Sequence, residues 1–215
     1  MSQECVVEND WKGLKGRFWS SVFKSRTLRY ILGFYIFSNK HAASSKKVLK
    51  EVLPEGGHVV DLGAGSGYYT VLATNINNNV RTTAVEISGV MLEKLKKEIQ
   101  KRGLKERVTV LNENIEHTSI PSNSADLIIL SNVLHEVVTP TSLIEEMNRI
   151  LKKDGVILAS EFYNNDFGRK FLSHHNDDVH GPYNVAELRG YFRAGNFSNI
   201  EINHHRNRLL AIVKK

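Results

Sequence analysis

From about His41 to the last residue, apolar runs of four to eight residues alternate with stretches whose apolar positions recur every three or four. The first pattern predicts buried strands and the second amphipathic helices. A helix is expected over 41–52, ending at "LPEGG", and "HVVDLG" reads as a buried strand followed by a helix from about Tyr68 to Ile76. "RTTAVEIS" is a second strand, and "GVMLEKLKKEIQKRG" a helix with Gly103 at its C-terminal end. "RVTVLN" and "ADLIIL" are the third and fourth strands. The helix "PTSLIEEMNRIL" places Pro140 at its first position behind Thr139 as cap, and "GVILASEF" is the fifth strand. The helix "VAELRGYFRAG" precedes two closing strands, "NIEIN" and "LLAIVKK", whose polar link puts His204 and His205 in a turn.

This alternation predicts an α/β fold, a parallel sheet covered on both faces. The two closing strands, joined by a short link, must be antiparallel to each other. Composition agrees: 41% hydrophobic and 24% charged residues over 215 positions suit one globular domain with a short appendage.

Charge divides the chain. Residues 11–40 hold seven Lys or Arg and no acid, so this segment is +7 against +6 for the whole, leaving −1 elsewhere. Eight of the 18 aromatic residues fall in the same stretch. The expected organisation is therefore a basic, aromatic helical cap over 1–40 and an α/β domain over 41–215. Cys5 is the sole cysteine, which excludes an internal disulfide and points to a reducing, cytoplasmic setting. The first ten residues have no apolar run, so no secretory signal is expected there.

Candidate chemistry starts at "VVDLGAGSGYYT", residues 59–70. Gly63, Gly65 and Gly67, with Ala64 between the first two, open a loop directly after the first strand, where ligands sit in open parallel sheets. The spacing is G-x-G-x-G, with Tyr68 where a dinucleotide fingerprint has its last glycine, and there is no phosphate-binding lysine. Glu86 ends the second strand, where a carboxylate accepts the hydroxyls of a ribose. Asp61 suits a positively charged ligand better than a pyrophosphate. S-adenosylmethionine has these features: ribose, adenine, ammonium and sulfonium, without phosphate.

On "VVDLGAGSG", "AVEISGVMLEKLKK", "NENIEHTSIPSNSADLIILSNVLHEV" and "LKKDGVILASEF", the chain resembles class I S-adenosylmethionine-dependent methyltransferases from about His41 onward. It is most similar to the branch containing the ubiquinone and menaquinone biosynthesis enzymes. The resemblance implies a Rossmann-like seven-stranded sheet in the order 3-2-1-4-5-7-6, with the last strand antiparallel. It also implies that Asp61, Gly63 and Gly65 line the methionine end of the cofactor, with Ile87, Asn114 and Ile115 at the adenine. Asn114 stands where the family commonly has aspartate; its amide oxygen can still meet the adenine amino group. Ser131 and Asn132 then face the sulfonium and the acceptor.

Methyl transfer needs alignment and exclusion of water, and a base only when the nucleophile arrives protonated. His135 is the candidate base, with Glu136 beside it; the alternative is that His135 packs the loop while Glu136 is solvated. The segment "SHHNDDVH", with His174, His175, Asp177, Asp178 and His180, matches no recurring zinc spacing, so no metal is expected. By resemblance it lies where the acceptor pocket varies, with Tyr163 and Tyr183 as walls.

Leu14, Phe18 and Val22 repeat at helical spacing among Lys15, Arg17 and Lys24. Three roles fit this basic amphipathic helix: a lid on the domain, a peripheral contact with an anionic membrane, or a grip on nucleic acid. The expected activity is methyl transfer to a small or lipid-like acceptor. An RNA methyltransferase and a non-catalytic methyltransferase-like subunit are the alternatives, and no oligomeric state follows from the residues.

Overall fold

A computed structural model of the chain describes residues 39–173 and 180–215, with side-chain surroundings from Ser44 onward. Cys5, nearly all of the basic segment, and His174, His175, Asp177 and Asp178 lie outside the described residues.

Helix α1 (Asn39–Val52) precedes β1 (His58–Leu62), α2 (Tyr68–Thr74), β2 (Arg81–Val85), α3 (Gly89–Lys101), β3 (Val108–Leu111) and β4 (Ala125–Ser131). Then come a 3-10 turn (Leu134–Glu136), α4 (Pro140–Ile150), β5 (Leu151–Phe162), α5 (Asp166–Leu172), α6 (Val185–Ala194), β6 (Asn199–His205) and β7 (Arg208–Lys214). The seven strands form one sheet in the order β3-β2-β1-β4-β5-β7-β6, as the resemblance implied. β7 runs antiparallel to β5 and to β6.

The strands read as unbroken apolar runs because helices bury both faces. On one face Val60, Leu62, Ile128, Leu130, Ile157 and Ala159 pack with Leu143 and Met147 of α4 and Phe192 of α6. On the other, Val59, Leu127, Ile129 and Leu158 meet Leu49 of α1 and Tyr69 and Ala73 of α2. α3 covers the β2–β3 end through Leu95 and Ile99 against Ala84 and Val108.

Local chemistry sets the helix ends. Gly103, at φ +66°, ends α3: its N–H donates to the Gln100 carbonyl at 3.1 Å and that of Leu104 to Ile99 at 3.0 Å. Asn184 and Glu187 form a reciprocal capping box on α6. Thr139 does not cap α4 through its side chain. Its own N–H donates to Glu116 Oε1, which ties the start of α4 to the Asn114–Glu116 turn.

Two expectations shift, and one further helix is present. β5 begins at Leu151 rather than Gly155, because Leu151 pairs with Ala125 before the ladder resumes at Leu127–Val156 across an irregularity. His204 and His205 are strand residues: β6 runs to His205, opposite Arg208, and the two-residue turn is Arg206–Asn207, with Arg206 at φ +55°. α5, too short to show a period, is capped by Asn165, whose Oδ1 accepts from Gly168 N at 2.9 Å, and buries Leu172 beside Phe162.

Candidate active site

β1 lies between β2 and β4, so the chain diverges beyond its end and leaves a crevice there. The N–H groups of Gly63 and Ala64 both donate to the Val85 carbonyl, at 3.0 and 2.9 Å, which bends the loop back over β2. Gly63, Gly65 and Gly67 all have positive φ, at +71°, +54° and +89°. They are glycine for different reasons. A Cβ on Gly63 would sit 2.5 Å from a Val133 methyl, and one on Gly67 2.7 Å from a Leu95 methyl. A Cβ on Gly65 would meet nothing within 4 Å. Gly65 is therefore the glycine of this loop that borders open space.

Glu86, only 7% exposed, faces that loop. Its Oε2 accepts from Gly65 N and its Oε1 from Ser88 N, both at 2.7 Å. Burial, opposed by these hydrogen bonds and aided by the Glu136 and Asp61 carboxylates, raises its carboxyl to about 7. Asp61 accepts from Thr70 Oγ1 at 2.6 Å, and burial, opposed by the Thr70 hydrogen bonds, raises it to about 6. Two enclosed carboxylates with elevated pKa values flank one glycine loop.

Asn112, which the sequence reading passed over as the end of a strand, holds this corner. Its Nδ2 donates to the carbonyls of Glu86 at 2.9 Å and Ile87 at 3.2 Å. The side-by-side endings of β2 and β3 were the available signal. Asn114 forms an Asx turn: its Oδ1 accepts from Glu116 N at 3.0 Å and its Nδ2 donates to Glu116 Oε2 at 3.2 Å. The carbonyl oxygen expected at the adenine is thus already accepting one hydrogen bond. Ile87 and Ile115 are half-buried, and Ile115 packs on the main core.

Beyond β4 the chain turns sharply at Asn132, φ +57°, whose N–H donates to the Ser160 carbonyl at 2.8 Å. Asn132 Nδ2 donates to Ser131 Oγ at 3.2 Å, while its Oδ1 is buried with no hydrogen-bond partner. Glu161, fully buried at the end of β5, organises the next turn: Oε1 accepts from Val133 N and Leu134 N at 2.9 and 2.8 Å. Its Oε2 lies 2.8 Å from His135 Nδ1, and Glu136 Oε1 is 3.6 Å from His135 Nε2.

His135, the expected base, is enclosed between these two carboxylates. Burial lowers the ring's pKa, but the Glu161 and Glu136 carboxylates outweigh it and push it up to about 10. An imidazolium has no lone pair with which to take a proton. Glu136, solvated in the alternative reading, has a side chain only 21% exposed. Glu161 carries no local sequence signal of this role, because its partners lie 26–28 residues earlier.

Tyr163 and Tyr183 come together as a parallel bridge. Tyr163 stacks on His204 with ring centroids 3.7 Å apart, and Phe162 stacks on Phe171 at 4.6 Å. His180 N donates to the His135 carbonyl at 2.8 Å, tying the segment before α6 to the turn after β4. Among the described residues no group of three or more His, Cys, Asp or Glu is arranged to hold a metal ion, and no helix is long and apolar enough to cross a membrane.

The fold and the glycine loop define a class, and comparison with known proteins agrees. Residues 60–159 match the methyltransferase domain family. An uncharacterised chloroplastic methyltransferase of Arabidopsis thaliana is 28% identical over 136 residues, 62% of this chain and 38% of the relative. A ubiquinone/menaquinone biosynthesis C-methyltransferase of Pseudoalteromonas translucida is 26% identical over 160 residues, 73% of this chain and 62% of that protein. The chain thus spans less than two thirds of either relative. The crystal structure of a putative S-adenosylmethionine-dependent methyltransferase from Methanococcus maripaludis superposes with TM-score 0.72 at 17% identity, covering 94% of this chain and 92% of that one, a likeness of fold. The chain thus has the fold of S-adenosylmethionine-dependent methyltransferases, and its residues 60–159 are similar to the methyltransferase domain family.

Proposed function

We propose that the domain binds S-adenosylmethionine across the glycine loop and transfers its methyl group in line to a small, lipid-like acceptor beyond β4 and β5. The carrying observation is the pairing of Glu86 with Gly65: a buried carboxylate, raised to about 7, beside the loop's open position. Such a carboxylate retains lone pairs for ribose hydroxyls. Asp61, raised to about 6, fits a ligand bearing an ammonium. These residues fit the cofactor.

When bound, S-adenosylmethionine supplies a methyl group on a sulfonium centre that a nucleophile can displace. Gly63, Ala64 and Gly67 shape the turn, and Ile87 and Ile115 flank the adenine, with Asn114 at its edge. Ser131 and Asn132 border the acceptor. Alignment and exclusion of water then supply most of the rate, without a histidine base. Aromatic residues at and beyond the end of β5 (Phe162, Phe167, Phe171, Tyr163 and Tyr183) support an apolar acceptor. The basic, aromatic composition of residues 11–40 supports peripheral contact with an anionic membrane from which such an acceptor is drawn.

The test is transfer of labelled methyl from S-adenosylmethionine into a cell extract separated into organic-soluble, nucleic-acid and protein fractions. Label in the organic phase is expected. Label confined to RNA replaces this reading with a nucleic-acid methyltransferase.

A further inference from the structure

Beyond β3 the chain closes on itself. The Asn114 carbonyl accepts from His117 N at 3.1 Å, and the Asn114 side-chain Oδ1 accepts from Glu116 N at 3.0 Å. The Glu116 side chain turns back on the same amide, with Oε2 accepting from Asn114 Nδ2 at 3.2 Å. Its other oxygen accepts from Thr139 N, at the start of α4. Glu116 is buried, so donors within the fold hold both of its carboxylate oxygens. Asn114 is half-buried. Its amide has two N–H groups and two carbonyl lone pairs, and the turn uses one of each. One N–H and one lone pair remain for a ligand.

A primary amide keeps its shape when rotated by 180°, but exchanges donor for acceptor. Fixed in one orientation, it can accept from the 6-amino group of adenine and donate to the neighbouring ring nitrogen. The 6-oxo base hypoxanthine has these roles exchanged and needs the rotated amide. Glu116 opposes that rotation twice. A rotated Asn114 would set Nδ2 against the Glu116 N–H and Oδ1 against the Glu116 carboxylate, two mismatches at once.

We infer that Glu116 is a positioning residue that makes the site selective for adenine over its 6-oxo counterpart, by locking the Asn114 amide in one orientation. This inference rests on the proposed cofactor reading, which sets the adenine beside Asn114, and adds the origin of its base selectivity. The hydrogen-bond pattern says what each substitution does. In Glu116→Gln the new amide has one oxygen for two donors, Asn114 Nδ2 and Thr139 N. With that oxygen on Thr139 N, either orientation of Asn114 then carries a single mismatch, so the lock is lost. Adding Asn114→Asp restores the match, because the new glutamine donates to the new carboxylate and still accepts from Thr139 N. Asn114→Asp alone sets two carboxylates against each other.

The experiment is calorimetric titration of S-adenosylhomocysteine and its deaminated form, S-inosylhomocysteine, into wild type, Glu116→Gln and the double variant Asn114→Asp/Glu116→Gln. Thermal melts accompany it, with Asn114→Asp included. Wild type should prefer the adenosyl ligand roughly 10- to 100-fold, the scale of one two-point contact to a base edge. Glu116→Gln should narrow that preference by on the order of tenfold. The double variant should regain it, since a carboxylate accepts from the amino group and repels the 6-oxo group. It should also melt above both single variants, a comparison that holds even where Glu116→Gln is too unstable to titrate. Equal weakening of both ligands in Glu116→Gln makes Glu116 a structural residue only and overturns the inference. So does a double variant that melts no higher than the single ones. Wild type binding both ligands equally overturns the inference and leaves the cofactor reading standing, whereas wild type binding neither overturns that reading itself.

Discussion

The amide of Gly65 lies 2.7 Å from Oε2 of Glu86, 21 residues away in sequence and across the β1–β2 pair. This hydrogen bond joins the loop's open glycine to the carboxylate just past β2, so the proposed ribose acceptor and the loop are one unit.

Replacing Glu86 with Ala removes that unit's acceptor. Hydrogen bonds to a charged group contribute about 1.5–3 kcal/mol each, so affinity for S-adenosylmethionine should fall about 10- to 100-fold. Titration calorimetry on the folded variant measures this. Equal binding by variant and wild type means that the ribose does not lie on Glu86.

The glycines separate packing from binding. Gly63→Ala forces a methyl to within 2.5 Å of Val133 at φ +71° and should lower stability by several kcal/mol, partly restored by adding Val133→Ala. Gly65→Ala has only the backbone strain of φ +54°, about 1–2 kcal/mol, because its Cβ enters open space. It should nevertheless weaken cofactor binding, since the proposed site places the ligand in that space. Thermal melts with and without S-adenosylmethionine distinguish the two. A Gly65→Ala protein with unchanged affinity removes the ligand from this face of the loop.

Much of this site was legible because its determinants are local. Three closely spaced glycines, an aspartate before them and a glutamate ending the next strand are all visible in one dimension. The strand order came with the resemblance. What stayed hidden depends on residues distant in sequence. Glu161 reads as the polar end of an apolar strand, and its partners Val133, Leu134 and His135 lie 26–28 residues earlier. His135 looks like a base until two carboxylates are seen on either side of it. Asn112 is another polar residue after a strand until β2 and β3 pair and place the Glu86 and Ile87 carbonyls within its reach. His204 and His205 resembled turn residues because a polar run hides where a ladder stops.

Binding should depend on pH through Asp61 and Glu86. Without ligand their carboxyls are raised to about 6 and about 7, from 3.8 and 4.5. The folded protein then holds protons that the unfolded chain has lost. Their contribution is fully present below about pH 4 and is lost as pH rises through 6 and 7, up to about 3 kcal/mol each. A cationic ligand favours the ionised carboxylates, so binding releases protons. Its affinity should rise as pH increases from 5 to about 8. The melting-temperature gain from saturating S-adenosylmethionine should grow over the same range, and proton release should appear as a buffer-dependent binding enthalpy. A flat gain across this range contradicts the placement of both carboxylates at the ligand.

His135 should remain an imidazolium across the neutral range. Its pKa is raised to about 10, so its stabilising effect is complete below the ordinary value of 6.5 and is lost as pH climbs through 10. Glu161 is shifted the other way. Burial opposes its ionisation, but His135 and then Arg208 hold it below the usual carboxylate range, so its effect is present above about 4.5 and lost as pH falls through that lowered value. The pair is therefore at full strength between about 4.5 and 6.5. Replacing His135 with Gln leaves Glu161 buried without its main counter-charge and should cost roughly 3–5 kcal/mol. Replacing Glu161 with Gln should release the turn and let the ring lose its proton at lower pH. Ring resonances of His135 followed by NMR from pH 5.5 to 8.5 should stay fixed in wild type and move in Glu161→Gln. A wild-type ring titrating near 6.5 restores His135 as a candidate base, and a methyl-transfer rate that falls with the same midpoint on acidification assigns it that role.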